Sequence, residues 1–393
     1  MRSLYKILHT TCHTQWGGLE KRIFNESVWM EKNGHKIIIA APTDTPLFLK
    51  AKNYGFRVYG VEFKRLSTIK DYNFLKHLFL NERPDIVNTH GNKDSKLALF
   101  AAKKTNVPLR ILSRHISAHV KNSWYNRMVY KKLCHYIFTT ADYTTKHLKK
   151  VFKLKDMQIF SMPSGITEPE VLLEKDQARK ALATELGLDP GTKFLGFVGR
   201  VSKDKGVSTL LKAFEKIRSR LLPCHVVIVG DGTDEYISFL KNLAQNLHID
   251  NYIHFTGFKE NVWSCYRAFD CKILPSIDIK GIPFEGVPQA LLEAMFCECP
   301  VIGAKTGGIV DIIDHEKTGL LFKPSDTSDL ADKILQTLQN KDATEKRIKK
   351  ARDHVKKHHT IDAMGRDIIR IYRLHQVKLD RQPYQPFRKT VSF

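Results

Sequence analysis

Two glutamates in the stretch "PFEGVPQALLEAM" (283–295) stand eight residues apart, with a glycine and a proline between them. Pro288 suits a first helical turn, where its missing N–H costs nothing. Glu285 is therefore expected in the entry loop and Glu293 more than a turn inside the helix, both near its positive end. Two acceptors held there suit the hydroxyls of a polyol ligand; a solvated loop glutamate and a solvated helix glutamate fit the pattern equally well. A second constellation is "FVGRVSKDKGVSTLLKAF" (197–214), where a strand ends at Gly199, Arg200 follows, and Lys205 with Gly206 opens a helix. Two cations beside free backbone amides at one strand end suit a diphosphate. The plainer alternative is a pair of surface cations on a loop. Neither a P-loop nor a GxGxxG dinucleotide fingerprint is present.

Further glycine turns stand at strand ends in "VGDG" (229–232) and "GAKTGG" (303–308). Ordinary turn chemistry explains Gly307 and Gly308 as well as close approach to a phosphate or sugar does. In the first half, "HTTCHTQWGGLEKR" (9–22) sets Gly17 and Gly18 between the first strand and the first helix. His9 and His13 are four apart, but one falls in a strand and the other in a loop, so no metal site is expected. His90 ends "DIVNTH" and His115 ends "RILSRH". A histidine at a strand's carboxyl end in a cleft can act as acid, base or hydrogen-bond donor near neutral pH; each can equally be structural.

The elements that must position these residues follow one rhythm. In the first half "YKILHTT", "HKIIIAA", "FRVYGVEF", "DIVNTH", "RILSRH" and "YIFTTA" read as strands, separated by helical segments such as "LEKRIFNESVWMEKNG". The second half repeats the pattern with "KFLGFVGR", "HVVIVGDG", "YIHFTGF", "CKILPS", "PVIGAK" and "GLLFKP". This is the βαβ pattern of parallel sheets covered on both faces. Two doubly wound domains are expected, spanning 1–165 and 166–360, with the join at about 163–192, where Pro, Gly and charge replace the strand pattern. Residues 361–393 hold a helix and a tail. Ligands bind beyond the carboxyl ends of parallel strands, so the motifs above gather at one interdomain cleft.

Composition narrows the class. A chain of 393 residues exceeds one ordinary core, and 42% hydrophobic with 27% charged residues is an ordinary globular balance. No apolar run reaches the length of a membrane span, and the first residues lack a signal peptide's apolar core, which predicts a cytoplasmic location. Seven scattered cysteines without a CxxC pair read as reduced, buried thiols. Of the net charge of +23, residues 1–165 carry +18, from 29 Lys and Arg against 11 Asp and Glu. Such a face attracts nucleic acid, anionic lipid or a polyanionic acceptor, or serves solubility alone.

The order of the glycine loop, strand-end histidine, "GR(x4)KG", "VGDG", "FTGF" and E(x7)E resembles glycosyltransferase family four, retaining enzymes of the GT-B fold. The resemblance spans nearly the whole chain and is strongest from about 193 to 325. It implies a GT-B architecture of two Rossmann-like domains across a cleft, the first on the acceptor side and the second binding a nucleotide sugar. Arg200 and Lys205 would hold the donor's diphosphate, with Gly17 or Gly18 closing on it. Glu285, followed by Gly286 and Val287, would bind hydroxyls of the transferred sugar, Glu293 the ribose, and the stretch from Gly257 and Phe258 to Trp263 would border the base. His90, ahead of His115, would orient sugar or acceptor hydroxyls. The resemblance further implies a hexosyl donor carried on UDP or GDP, no metal and no other cofactor, and a glycan or glycolipid acceptor of the lipopolysaccharide kind. The enzyme would be peripheral on the inner face of the cytoplasmic membrane, with its basic first domain on anionic lipid. The helix near 361–376 would cross back onto the first domain. Two departures stand out: the approach from Ser276 to Glu285 is longer than the family commonly shows, and "IVDII" follows Gly308 where proline and glutamate are common. The alternatives are a GT-B phosphorylase, a nucleotide-sugar epimerase and, from another class, a basic nucleic-acid-binding protein, for which no recognition motif interrupts the βαβ rhythm.

Overall fold

The computed structural model describes residues 4–115, 120–221, 223–278 and 285–380. Its strands are β1 (Lys6–Thr10), β2 (Lys36–Ala41), β3 (Arg57–Gly60), β4 (Ile86–Thr89), β5 (Leu109–Arg114), β6 (Tyr136–Thr139), β7 (Ile159–Ser161), β8 (Lys193–Val198), β9 (Cys224–Val229), β10 (Ile253–Gly257), β11 (Cys271–Leu274), β12 (Val301–Ala304) and β13 (Leu320–Phe322). The helices of the first half are α1 (Gly18–Lys32), α2 (Pro46–Tyr54), α3 (Thr68–Glu82), α4 (Asn92–Lys104), α5 (Trp124–Met128) and α6 (Asp142–Phe152). Those of the second are α7 (Lys175–Leu186), α8 (Val207–Ile217), α9 (Asp234–Asn246), α10 (Trp263–Ala268), α11 (Gln289–Phe296), α12 (Thr327–Gln339), α13 (Lys341–His358) and α14 (Ile361–Asp380).

One parallel sheet runs β3-β2-β1-β4-β5-β6-β7 and the other β10-β9-β8-β11-β12-β13. In each, the strand order reverses beside the first strand of its domain, β1 or β8, and the crevice beyond the carboxyl ends at that point is where doubly wound sheets take ligands. Burial explains why these runs are strands. Five of the six residues of β8 are buried, and Phe194, Leu195 and Phe197 are wholly so, each contributing about 1.5–3 kcal/mol. Helix α8 lays Val207, Leu210, Leu211, Phe214 and Ile217, spaced for one helical face, onto that sheet.

Helix α7 occupies part of the stretch expected to be the join. Its Ala178, Leu182 and Ala183 pack into the second core, and Gly187 ends it at φ +67°. The Pro and Gly that signalled a join at 163–165 and 187–191 flank a helix instead of replacing one. Strand β7, three residues long, was not anticipated, because so short a run carries no period. Pro288 caps α11 rather than entering its first turn. Five of the six described strands of the second half fall within the runs expected for them, and β9 begins one residue earlier, at Cys224.

Two segments cross between the sheets side by side. Ile166 accepts from the Ile361 amide at 2.8 Å and donates its own to His359 O at 2.8 Å. A Cβ on Gly165 would lie 2.4 Å from Thr360 O, so only glycine permits this approach. After the second crossing, α14 sets Met364, Ile368, Ile371 and Tyr372 into the core of the first sheet. Residues 381–393, the expected tail, lie outside the described residues.

Candidate functional site

A cavity of about 660 Å³ opens between the carboxyl ends of the two sheets. One wall comes from the first sheet: His13, Trp16, Gly17, Gly18, Lys21, His115 and Thr140. The other carries Arg200, Asp231, Phe258, Tyr266, Glu285 and Glu293. The structure thus brings the glycine loop, the arginine and both glutamates of the sequence motifs to one space.

The glycine loop follows β1 and starts α1. Gly17 caps that helix, and its N–H donates to Glu20 Oε2 at 2.9 Å. A Cβ on Gly18 would meet nothing within 4 Å, so packing does not require glycine there. The positive end of α1 is open to the cavity.

Across the cavity, Arg200 follows β8 with its side chain 72% exposed, held only loosely at 3.7 Å from Asp204. Lys205 is placed differently from Arg200. Its ammonium donates to both oxygens of Glu285, at 2.9 and 2.7 Å, and Ser276 Oγ donates to the same carboxylate at 2.7 Å. The two residues expected to take separate roles, diphosphate and sugar, form one ion pair beside the cavity. Gly206 is what lets Lys205 reach it. At φ +66° its missing Cβ would sit 1.9 Å from Pro275 O, so any other residue would push apart the loops after β8 and β11.

Glu285 is anchored through its backbone, since its carbonyl accepts from Gly308 N–H at 3.0 Å. Side chains on Gly307 and Gly308 would each come within 2.4 Å of carbonyls at 285 and 286. The "GG" turn therefore supports the glutamate loop. Gly286 and Val287 line the cavity. Residues 279–284, the greater part of the long approach from Ser276, lie outside the described residues.

Glu293 lies one turn into α11 and accepts from Tyr266 OH at 3.0 Å. Burial pushes its pKa up, against the opposing effects of the Tyr266 hydrogen bond and of the charges on Lys21 and Lys272. Lys21 belongs to the opposite wall, so the two domains are electrically coupled at this carboxylate. Phe258 is 67% exposed, and its amide donates to Asp231 Oδ1 at 2.9 Å. Gly257, at φ +70°, turns the chain just before it.

His90 is buried, and it is His115 that lines the cavity. The Nδ1 of His90 lies 2.9 Å from His115 Nε2. Sequence reasoning missed Tyr266, Ser276 and Thr140; Tyr266 and Thr140 act on partners 27 and 25 residues away, and Ser276, nine residues from Glu285, sits at the start of a loop with no regular period. Among the described residues no three His, Cys, Asp or Glu side chains gather as for a metal ion, and no helix is long and apolar enough to cross a membrane.

Comparison with known proteins bears on family and fold. Residues 178–354 match the family Glycosyl transferases group 1, and residues 16–168 match Glycosyltransferase Family 4. The N-acetyl-alpha-D-glucosaminyl L-malate synthase of Bacillus anthracis is 31% identical over 48% of this chain and 46% of its own, so the chain spans about half the length of this relative. The UDP-Gal:alpha-D-GlcNAc-diphosphoundecaprenol alpha-1,3-galactosyltransferase of Escherichia coli is 28% identical over 71% of this chain and 73% of its own. Among solved structures, HepE of Anabaena in complex with UDP superposes with a TM-score of 0.79 at 16% identity, covering 94% of this chain and 100% of that one.

Proposed function

Because the chain belongs to glycosyltransferase family four and has the GT-B fold, we propose that it moves a hexosyl group, with retention, from a nucleotide-diphosphate sugar to a hydroxyl of a glycan or glycolipid. The observation that carries this proposal is one cavity with the Gly17–Gly18 helix start on one wall and Arg200, Glu285 and Glu293 on the other. In this account Arg200 and the α1 amides take the diphosphate. Negative charge grows there as the glycosidic bond breaks, and fixed donors stabilise it without a metal. Glu285, pinned by Lys205 and Ser276, accepts from the sugar's hydroxyls. Lys205 neutralises that carboxylate and adds its field to the phosphate side. Glu293 accepts from the ribose, and the exposed ring of Phe258 stacks on the base. His115, nearest the cavity, takes the hydroxyl-orienting role, with His90 behind it.

UDP-sugars are the first donors to try, since a fold neighbour is solved with UDP and a relative is named for UDP-Gal. The acceptor side is the first domain, whose charge of +18 suits a phosphorylated glycolipid or an anionic membrane face. The test is a transfer assay with a panel of UDP- and GDP-sugars on lipid-linked and lipopolysaccharide-core acceptors, followed by determination of the product's anomeric configuration. A retained linkage formed from one nucleotide sugar supports the proposal. Turnover with sugar phosphate and no nucleotide, or rearrangement of the donor without acceptor, would favour a phosphorylase or an epimerase. Sedimentation with anionic and neutral vesicles addresses the membrane: equal partitioning at low salt would remove it from the account.

A further inference from the structure

Three histidines from three adjacent strands form a continuous hydrogen-bonded chain leading inward from the cavity. His9 lies in β1, His90 follows β4 and His115 follows β5, neighbours in the sheet. His9 Nδ1 is 2.9 Å from His90 Nε2, and His90 Nδ1 is 2.9 Å from His115 Nε2. The rings of His90 and His115 stack at 5.1 Å. With Nε2 of His115 bonded to His90 and His115 among the residues lining the cavity, Nδ1 is the ring nitrogen this chain leaves over.

We propose that His9 and His90 are positioning residues that hold His115 in the Nδ1–H tautomer, so that His115 meets a ligand oxygen in the cleft as a neutral hydrogen-bond donor. A neutral imidazole has one N–H and one lone pair, and each of the two contacts needs one of each. The three rings are therefore locked into one common sense. In the outward sense His9 and His90 each donate from Nδ1, and His115 is left with its proton on Nδ1, the nitrogen not bonded to His90. In the inward sense every Nε2 carries the proton, and His9 must hold an N–H where its Nε2 is enclosed with no partner among the described residues. A buried N–H without an acceptor is rarer in folded proteins than an underused acceptor, so the outward sense prevails.

The groups facing this chain keep it neutral. Burial first, then the Arg22 charge, brings His9 down to about 3. Burial, followed by the charges of His115, His9, Arg22 and His13, holds His90 well below its usual range. His115 is lowered by burial and by Arg22, His13 and Arg114. Oδ2 of the buried Asp94 accepts from the backbone amides of His90 and Gly91 and from Thr10, and Oδ1 is buried with no hydrogen-bond partner among the described residues, so neither oxygen bonds a ring of the chain and reverses the sense. Histidine in water favours Nε2–H, so the assigned tautomer is imposed by the fold.

Only the identity of the ligand oxygen rests on the proposed function; the tautomer can be read without substrate. The test is long-range 1H–15N correlation on the full chain with ring-15N histidine at pH 7, assigning His115 by the signals lost in His115→Gln. The expected result is His115 as the Nδ1–H form in the native chain, with a shift toward Nε2–H in His90→Phe, which fills the space but bonds neither neighbour. His115 found as Nε2–H or as imidazolium in the native chain overturns the proposal. If His90→Phe does not fold, the native spectrum still decides, and His9→Phe tests the inner end. In turnover His90→Phe should lower kcat by up to about 100-fold while nucleoside diphosphate Kd stays within about two-fold. An equal loss in Kd would mean a purely structural role and overturn it.

Discussion

Lys205 and Glu285 are 80 residues apart in sequence and joined by two hydrogen bonds. Their side chains are 19% and 10% exposed, so removing either partner leaves the other mostly buried without its counter-ion. Lys205→Met leaves a mostly buried carboxylate with Ser276 as its named donor, and Glu285→Gln leaves an unpaired ammonium. Each single substitution should lower stability, and the double should cost less than their sum, with a coupling of about 1–3 kcal/mol in denaturant unfolding. Additive losses would mean that the pair is not formed in solution.

Glu293 gives a pH dependence with a definite sign. Its folded pKa is raised by burial, so the folded chain holds the proton more tightly than the unfolded one. Below the unfolded value of about 4.3 both forms are protonated and nothing is lost; as pH rises through the folded value, the cost of ionising the buried group appears in full. Glu293→Gln, which keeps a partner for Tyr266, should therefore raise the melting temperature by about 1–3 °C at pH 7 and leave it unchanged at pH 4. The same change should weaken nucleotide binding, so stability and function move in opposite directions at this residue.

Among the elements, α1 carries the most opposed demands. Its start faces the cavity, and its next two turns bury Arg22 and Glu26, each about 2% exposed and 3.6 Å apart. Arg22 also donates to Met162 O and Ser164 Oγ, where the chain leaves the first sheet. Glu26→Ala strands a buried guanidinium and should cost about 3–5 kcal/mol of stability in denaturant unfolding. A loss under about 1 kcal/mol would mean that water reaches the pair.

Legibility also divides at this scale. Strands such as β2, with five of six residues buried, announce themselves as unbroken apolar runs, and the loops at Gly17, Arg200 and Glu285 carry their chemistry in adjacent letters. Helix α7 was hidden by the Pro and Gly on either side of it. The His9–His90–His115 chain and the Tyr266–Glu293 bond were not legible at all, since each joins residues from separate elements that only the strand order brings together. The choice between His90 and His115 turns on which ring faces the cavity, a matter of packing depth that strand-end position does not encode.

For the molecule as a whole, the two domains touch where the donor would lie. Asp311 of the second domain accepts at 2.8 Å from the N–H of Asp142, the first residue of α6 in the first. Ala141, the cap of α6, provides no side-chain acceptor, so this helix start is capped from across the cleft. A Cβ on Gly286 would lie 3.2 Å from Thr140 Oγ1, a second point of close approach between the walls. The paired crossings near 166 and 361 also join the two domains, bonded to each other through Ile166. Asp311→Ala removes the cap only from the closed arrangement, at about 1 kcal/mol. Donor KM should rise about five-fold with little change in melting temperature, and solution scattering should show a larger radius of gyration. An unchanged KM would mean that the cleft stays closed without this contact.

The measurement that tests the donor site most directly is a calorimetric titration of the metal-free protein with nucleoside diphosphates and nucleotide sugars, repeated on Arg200→Ala and Glu293→Ala. Selective micromolar binding of one nucleotide, weakened by both substitutions, is the expected result and would name the base. Binding to none of them, or binding indifferent to both changes, would contradict the assignment of this cavity to a nucleotide sugar.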